Sequence, residues 1–194
     1  QEFGAKTPEE INKREIMEHW GLKGFFGTFR YYKRMLSSWW LQLLASISPH
    51  PGLAVKFQRK RGVNIGRHVY IGPNVQIDFL YPNMVTIGDY VSIGMNSMIF
   101  AHSNPTCSAY IKKYHYPRSV APVRICRGAW IPPGSVILAG VTIGENAILG
   151  AGSVVTHDIP SYSLAIGAPA KVIRKIEPRW PQLMSHKANP ELSS

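Results

Sequence analysis

IGRHVYIGPNVQI (residues 65–77), VTIGDYVSIGMNSMI (85–99) and ICRGAWIPPGSVILAGVTIGENAILGAGSVV (125–155) share a beat of six. Ile65, Ile71, Ile77, Ile87, Ile93, Ile99, Ile125, Ile131, Ile137, Ile143, Leu149 and Val155 all fall on it. Isoleucine, leucine and valine together make up less than a quarter of the chain, so an unbroken row of branched aliphatics in this register is a periodic signal and not composition. A period of six fits neither the 3.6 of an amphipathic helix nor the 2 of a half-buried strand. It is a solenoid period, in which one repeat cannot bury its apolar face alone and stacked repeats bury a continuous one. The residue after the aliphatic is Gly at 66, 72, 88, 94, 144 and 150, which suits a corner because glycine tolerates unusual dihedrals. Four positions after the aliphatic comes a small or β-branched residue: Val69, Val75, Val91, Ser97, Ala129, Ser135, Val141, Ala147 and Ser153. One large and one small inward side chain per repeat describe a short strand and a tight turn, three to a triangular coil. The expected fold class is an all-β solenoid.

The beat slips twice. Between Ile77 and Ile87 the chain carries an extra bulge at residues 79–83, with Tyr81-Pro82-Asn83 as its turn. Between Ile99 and Ile125 the segment AHSNPTCSAYIKKYHYPRSVAP (101–122) abandons the pattern, and a long irregular loop on a rigid scaffold is where function tends to sit. Upstream, Thr7, Pro8 and Glu10 form a capping-box signature for a helix reaching about Trp20. Beyond Gly21 and Gly24, Phe29, Tyr32, Leu36, Trp39, Leu43 and Ile47 make a helical stripe beside Arg30, Lys33 and Arg34. The stripe is expected to pack on the first coil or on a neighbouring subunit, with a membrane surface as the alternative. KFQRKR (56–61) reads as a solvated basic run. The organisation expected is a helical cap at 1–48, the solenoid at 63–176 with a loop at 101–122, and a tail at 177–194. A short C-terminal helix is expected in IRKIEPRWPQLM (173–184).

With 22 Lys+Arg against 11 Asp+Glu, the net charge of +11 favours anionic partners. No zinc-finger, helix-turn-helix or RNA-binding signature accompanies that charge, so nucleic acid is not expected. Cys107 and Cys126 have no metal-ligand spacing and read as reduced thiols. The N-terminal segment lacks the order of a signal peptide and no apolar run is long enough to span a bilayer. A cytoplasmic protein is expected, at most peripheral at the inner face of the membrane.

IGRHVYIGPNVQ, VTIGDYVSIGMNS and VILAGVTIGENAILGAGSVVTHDIPSYSLAIGAPAKVIRKI resemble the hexapeptide-repeat acyltransferases. The resemblance implies a left-handed parallel β-helix and a homotrimer with active sites between subunits. It also implies transfer of an acetyl group from acetyl-CoA to a hydroxyl of a sugar or polysaccharide precursor, since the AHSNPT and KYHYPR segments resemble that subgroup. Moving an acyl group from a thioester to a hydroxyl needs a base that titrates near neutrality, for which histidine is suited. In the sugar O-acetyltransferases a histidine after the IGDxVxIG coil is that base, which is His102 here; His115 is its rival. Asn74 stands where these enzymes carry an acceptor-binding asparagine, and Asp78 could bond a sugar hydroxyl or orient His102. Arg118, with the lysines beside it, could bind an acidic sugar.

On the donor side the resemblance assigns the Ala151 amide, Thr156 and His157 to the pantetheine arm, and Lys171 and Arg174 to the phosphates. One departure stands out. Where the family has Gly and then a small residue whose amide holds the thioester oxygen, this chain has Pro132-Pro133, which have no N–H. An oxyanion donor must come from elsewhere, such as Gly134. His68, His102, His115 and His157 do not have the spacing of the zinc-binding relatives of this fold, so no metal is expected. The alternatives are acetylation of a small metabolite (serine, a free sugar or an amino sugar), antibiotic modification, or a catalytically silent scaffold.

Overall fold

The computed structural model describes residues 7–105 and 107–177. Its centre is a three-faced stack of short parallel strands. The first face is β1 (Asn64–Ile65), β4 (Val85–Ile87), β9 (Val123–Ile125) and β12 (Thr142–Ile143). The second is β2 (Tyr70–Ile71), β5 (Ser92–Ile93), β10 (Trp130–Ile131), β13 (Ile148–Leu149) and β15 (Ser163–Gly167). The third is β3 (Gln76–Ile77), β6 (Met98–Ile99), β11 (Val136–Ile137) and β14 (Val154–Val155). Register follows the beat: Ile65 pairs with Ile87, Ile87 with Ile125 and Ile125 with Ile143, and the other two faces repeat this. Of the slot residues, those from Ile71 to Val155 are at most 2% exposed, and Ile65, at the open end, is half-buried. The small inward column from Val75 to Ser153 is buried beside them.

The glycines after each aliphatic have a different cause from the one expected. The left-handed backbone of each corner falls two positions later, at His68, Asn74, Tyr90, Asn96, Asn146 and Tyr162 and at Gly128, Gly134, Gly140 and Gly152. What excludes a side chain after the aliphatic is the next coil. A Cβ on Gly72 would lie 2.8 Å from the Met95 nitrogen, and one on Gly88 2.8 Å from the Arg127 nitrogen.

Both slips in the beat are insertions at the edge between the third and first faces. The small one closes as a 3-10 turn, Pro82–Met84. The large one leaves as β7 (His102–Ser103), passes through α4 (Ala109–Tyr114) and returns as β8 (Ser119–Val120), antiparallel to β7.

Among the described residues, three helices precede the coils: α1 (Pro8–His19), α2 (Gly24–Ser46) and α3 (Pro51–Arg61). Thr7 caps α1 with the expected box, its hydroxyl accepting from Glu10 N–H while the Glu10 carboxylate accepts from Thr7 N–H. The run KFQRKR belongs to α3, which ends at Gly62 in the left-handed region, φ 103°. Ala54 and Val55 of α3 join the core. The expected packing of the α2 stripe on the first coil is not found: Phe29, Tyr32, Leu36, Trp39, Leu43 and Ile47 are all exposed. Polar groups make that joint instead. Ser38 Oγ donates to the Phe79 carbonyl (3.0 Å) and Gln42 Nε2 to that of Val75 (2.9 Å). Arg61 reaches Ser38, Gln42 and Gln58 and donates to the carbonyls of Ile77 and Asp78.

At the other end, the start of the expected C-terminal helix is a strand. β16 (Ala170–Lys175) folds back antiparallel on β15, and the rest of that expectation, from 178 on, lies outside the described residues.

Candidate active site

His102 stands where the third face ends and the chain leaves the coil. Its Nδ1 is 2.6 Å from Asp78 Oδ2. Asp78 follows Ile77, one coil earlier, in the slot where glycine commonly stands, so its side chain is driven into the wall between coils. That carboxylate is wholly buried and accepts three further bonds: Oδ1 from the N–H groups of Leu80 (2.9 Å) and Tyr81 (2.8 Å), Oδ2 from that of Ala101 (2.7 Å). The bulge therefore folds over Asp78, and the residue before the imidazole is pinned to the same oxygen as the imidazole.

Burial pushes the Asp78 carboxyl up, but the bonds from His102, Tyr81 and Ala101 together hold it below the usual carboxylate range. An ionised carboxylate can only accept, so His102 donates through Nδ1 and keeps the Nε2 lone pair for a substrate proton. The imidazole is 20% exposed, so it is not sealed off from solvent.

Tyr81, in the bulge, is fully buried, with its ring edge-on to His102 at 5.2 Å. The Tyr81 hydroxyl accepts from Arg118 (3.3 Å), and its ring also meets His19 of α1. Arg118 in turn pairs with Glu15 of α1 (2.8 Å), as does Lys112 (2.5 Å). Asn12 Oδ1 accepts from Asn104, Lys112 and Arg118. The helix α1 is thus bolted to the loop around the imidazole, a joint between residues about a hundred positions apart that no local spacing announces.

A family model described as bacterial transferase hexapeptide (six repeats) matches residues 122–157. The galactoside O-acetyltransferase of Escherichia coli strain K12 is 34% identical over 181 residues, which cover 92% of this chain and 76% of that protein. The chain belongs to the hexapeptide-repeat acetyltransferases. Among solved structures, a hexapeptide-repeat acetyltransferase from Vibrio cholerae O1 biovar eltor, complexed with acetyl coenzyme A, is 26% identical with a TM-score of 0.63, over 76% of this chain and 90% of that one. A maltose O-acetyltransferase from Clostridium difficile 630 is 25% identical with a TM-score of 0.60, over 90% of this chain and 100% of that one. Membership in this acyltransferase family carries with it the left-handed winding of the parallel coils.

In this hexapeptide-repeat acetyltransferase the residues singled out from the sequence divide between two edges of the prism. Asp78, His102, Thr156 and His157 follow strands of the third face and share the edge that leads to the first face. Asn74, Gly134 and Ala151 follow strands of the second face and share the edge that leads to the third. Asn74 is exposed and left-handed (φ 54°), bonded to Asn96 and Gln76, not to the imidazole. Lys171 and Arg174 are exposed on β16. Thr156 Oγ1 lies 2.8 Å from His157 Nδ1.

Two expectations need correction. The Gly134 N–H, suggested as an oxyanion donor, already donates to the Met95 carbonyl (3.0 Å), as Gly152 does to Pro133 and Asn96 to Pro73; this ladder joins the coils. Arg118, suggested for an acidic sugar, is only 10% exposed and spends its charge on Glu15. Of the other histidines, His115 is exposed at the end of α4 against Tyr110, and His68 stacks on Tyr90. Among the described residues no group of three His, Cys, Asp or Glu side chains could hold a metal ion, and no helix is long and apolar enough to cross a membrane.

Proposed function

We propose that this protein transfers an acetyl group from acetyl-CoA to a hydroxyl of a sugar or polysaccharide precursor, with His102 as general base and Asp78 as its positioning residue. The observation that carries the reading is the buried, four-bonded Asp78 carboxylate 2.6 Å from an imidazole that stays partly exposed. The names of the similar proteins, a galactoside and a maltose O-acetyltransferase, support a sugar as acceptor.

Acetyl-CoA supplies a thioester carbonyl and a thiol leaving group. His102 Nε2 takes the acceptor hydroxyl proton as that oxygen bonds to the carbonyl carbon, and returns the proton to the sulfur as the C–S bond breaks. Asp78 stays ionised throughout, fixing the tautomer and stabilising the imidazolium while it exists. Lys171 and Arg174 suit phosphates as exposed cations. The Ala151 N–H lies in an exposed turn outside the stacking ladder and suits a bond to the pantetheine chain.

One chain holds the base on one edge and Asn74 and Ala151 on the next. Two copies meeting edge to edge join the halves; a head-to-tail contact forms a ring when its rotation closes, and the family resemblance implies a ring of three. We therefore infer a cyclic homotrimer with its sites in the clefts between subunits. The test is thiol release from acetyl-CoA against a panel of free sugars, nucleotide-sugars and lipid-linked saccharides. Sugar-dependent turnover that His102→Ala abolishes is expected. Full activity in His102→Ala with loss in His115→Ala would overturn the assignment of the base.

A further inference from the structure

Helix α2 is inside out. A surface helix ordinarily turns its apolar stripe to the body and its polar face to water. Here the buried residues are Gly27, Tyr31, Ser38, Gln42 and Ala45, while Phe25 is 83% exposed, Phe29 64% and Trp40 50%. At 100° per residue, the outward apolar side chains fill a band about 140° wide, centred opposite the buried set. The orientation is held by the bonds of Ser38 and Gln42 to the bulge and the first coil and by the Arg61 network, so the apolar face is fixed outward. A helix of this length is about 35 Å long, and an apolar band of that extent exceeds what a soluble surface ordinarily leaves open.

Charge decides what covers it. From Gly21 to Ile77 the sequence has no Asp or Glu. Lys23 and Arg30 stand just beyond one edge of the band and Lys33 just inside it, all exposed, and Lys56, Arg59 and Lys60 are exposed on α3. A second copy brought against this face would add its own cations to these on a chain already at +11. A bilayer with anionic headgroups supplies the opposite sign and an apolar layer beneath it. Aromatic side chains such as Phe29, Trp39 and Trp40 belong at that boundary.

We propose that α2 binds anionic membrane surfaces, lying flat with its Phe, Trp and Leu side chains and the capping Ile47 in the headgroup-acyl boundary and Lys23, Arg30 and Lys33 against lipid phosphates. Amphipathic helices bind in this way without spanning. Because α2 is bonded to the bulge that folds over Asp78, the membrane holds the His102 site at the lipid surface. Resting on the acetyl-transfer reading, that placement favours an acceptor saccharide carried on a lipid.

The experiment is co-sedimentation of the full chain with vesicles of phosphatidylcholine alone and of phosphatidylcholine mixed with phosphatidylglycerol, at low and high salt. Wild type is expected to pellet with the anionic vesicles, with a blue shift of tryptophan fluorescence, and to be released by salt. Trp39→Ser/Trp40→Ser is expected to lower partitioning about tenfold or more, since both rings leave the apolar layer. Arg30→Glu/Lys33→Glu should remove the preference for anionic lipid. In each variant the native mass, the melting temperature and turnover of a water-soluble acceptor are expected to be unchanged. Wild type that stays in the supernatant with both vesicles overturns the proposal, as do variants that pellet like wild type. A lower native mass in the tryptophan variant overturns it too, because the face would then be a contact between copies. Sedimentation reads the membrane proposal and thiol release reads the acetyl-transfer proposal, so either can fail without the other.

Discussion

Asp78→Asn isolates the carboxylate from the shape around it. Four donors converge on Asp78: the N–H groups of Leu80, Tyr81 and Ala101, and His102 Nδ1, at 2.6–2.9 Å. An asparagine offers one acceptor oxygen and one NH2. Were the NH2 to face Leu80 and Tyr81, it would orphan two buried N–H groups, so the less costly pose keeps oxygen there and points NH2 at Ala101 and His102. Now His102 must accept at Nδ1, which moves its proton to Nε2, and the base has lost the lone pair it needs. The fold loses two charge-assisted bonds and leaves the Ala101 N–H unpaired, about 2–4 kcal/mol in all. For a chain of this size that lowers the melting temperature by about 5–15 °C. Turnover is expected to fall about 10²- to 10⁴-fold, the range of general-base catalysis and of a wrongly fixed tautomer, with the KM for acetyl-CoA little changed. The assay is thiol release at saturating donor and acceptor below the melting range, with His102→Ala and the double variant alongside. If Asp78 acts through the imidazole, Asp78→Asn slows wild type but not His102→Ala, because positions that act as one unit are not additive. Turnover of Asp78→Asn within about threefold of wild type, or equal slowing in both backgrounds, would refute the reasoning.

Acid stability follows from the same carboxylate and from Glu15, where burial pushes the carboxyl up and the bonds from Lys112 and Arg118 outweigh it. Both folded-state values lie below the ordinary range, so their stabilisation is complete above the unfolded-chain values, near pH 4, and is lost as pH falls through the lowered ones. Melting temperatures of wild type should drop more steeply below about pH 4 than those of Asp78→Asn, and equal slopes would contradict this. Gly94→Ala places a Cβ 2.6 Å from Pro133 Cδ of the next coil, and nearer still to its nitrogen, and should cost about 3 kcal/mol or more in denaturant titration. Gly152→Ala, with no atom within 4 Å but φ at 70°, should cost only about 1–2 kcal/mol of backbone strain. Lys171→Ala/Arg174→Ala should raise the KM for acetyl-CoA about tenfold and leave that for the acceptor unchanged, by steady-state kinetics with each substrate varied in turn.

The coil was legible because each repeat contacts a neighbour at a fixed offset. Ile125 meets Ile143 eighteen residues on, and the same arithmetic predicts Ile131 beside Leu149 and Ile137 beside Val155. A register read from twelve side chains therefore fixes three sheets at once. That periodicity could not say why each glycine is there: a corner dihedral and a coil stacked overhead leave the same residue in the sequence, and only the fold separates Gly72 from Gly134. Helix α2 failed for the converse reason. Period 3.6 identifies an apolar face but contains nothing about what lies opposite it, and the residues that bind α2 to the body, Ser38 and Gln42, are ones a pattern of hydrophobicity discards.

The candidate site was legible where the repeat breaks. A stacked coil engages its inner side chains in the ladder and its corner amides in the next turn, as Gly134 shows, so a regular hexad has little left for chemistry. Asp78 occupies a glycine slot and His102 the point of departure, and the two insertions meet around them. Tyr81, Glu15 and Asn12 escaped because their partners are brought together by the loop and α1, which have no register relative to the coils. In a solenoid the irregular residues are the ones free to aim a side chain, which is why the carboxylate and the imidazole sit at the two insertions on one edge. The exposed band of α2 follows the same logic at the other end of the chain: it too lies outside the repeat, and it is the part left to choose a partner.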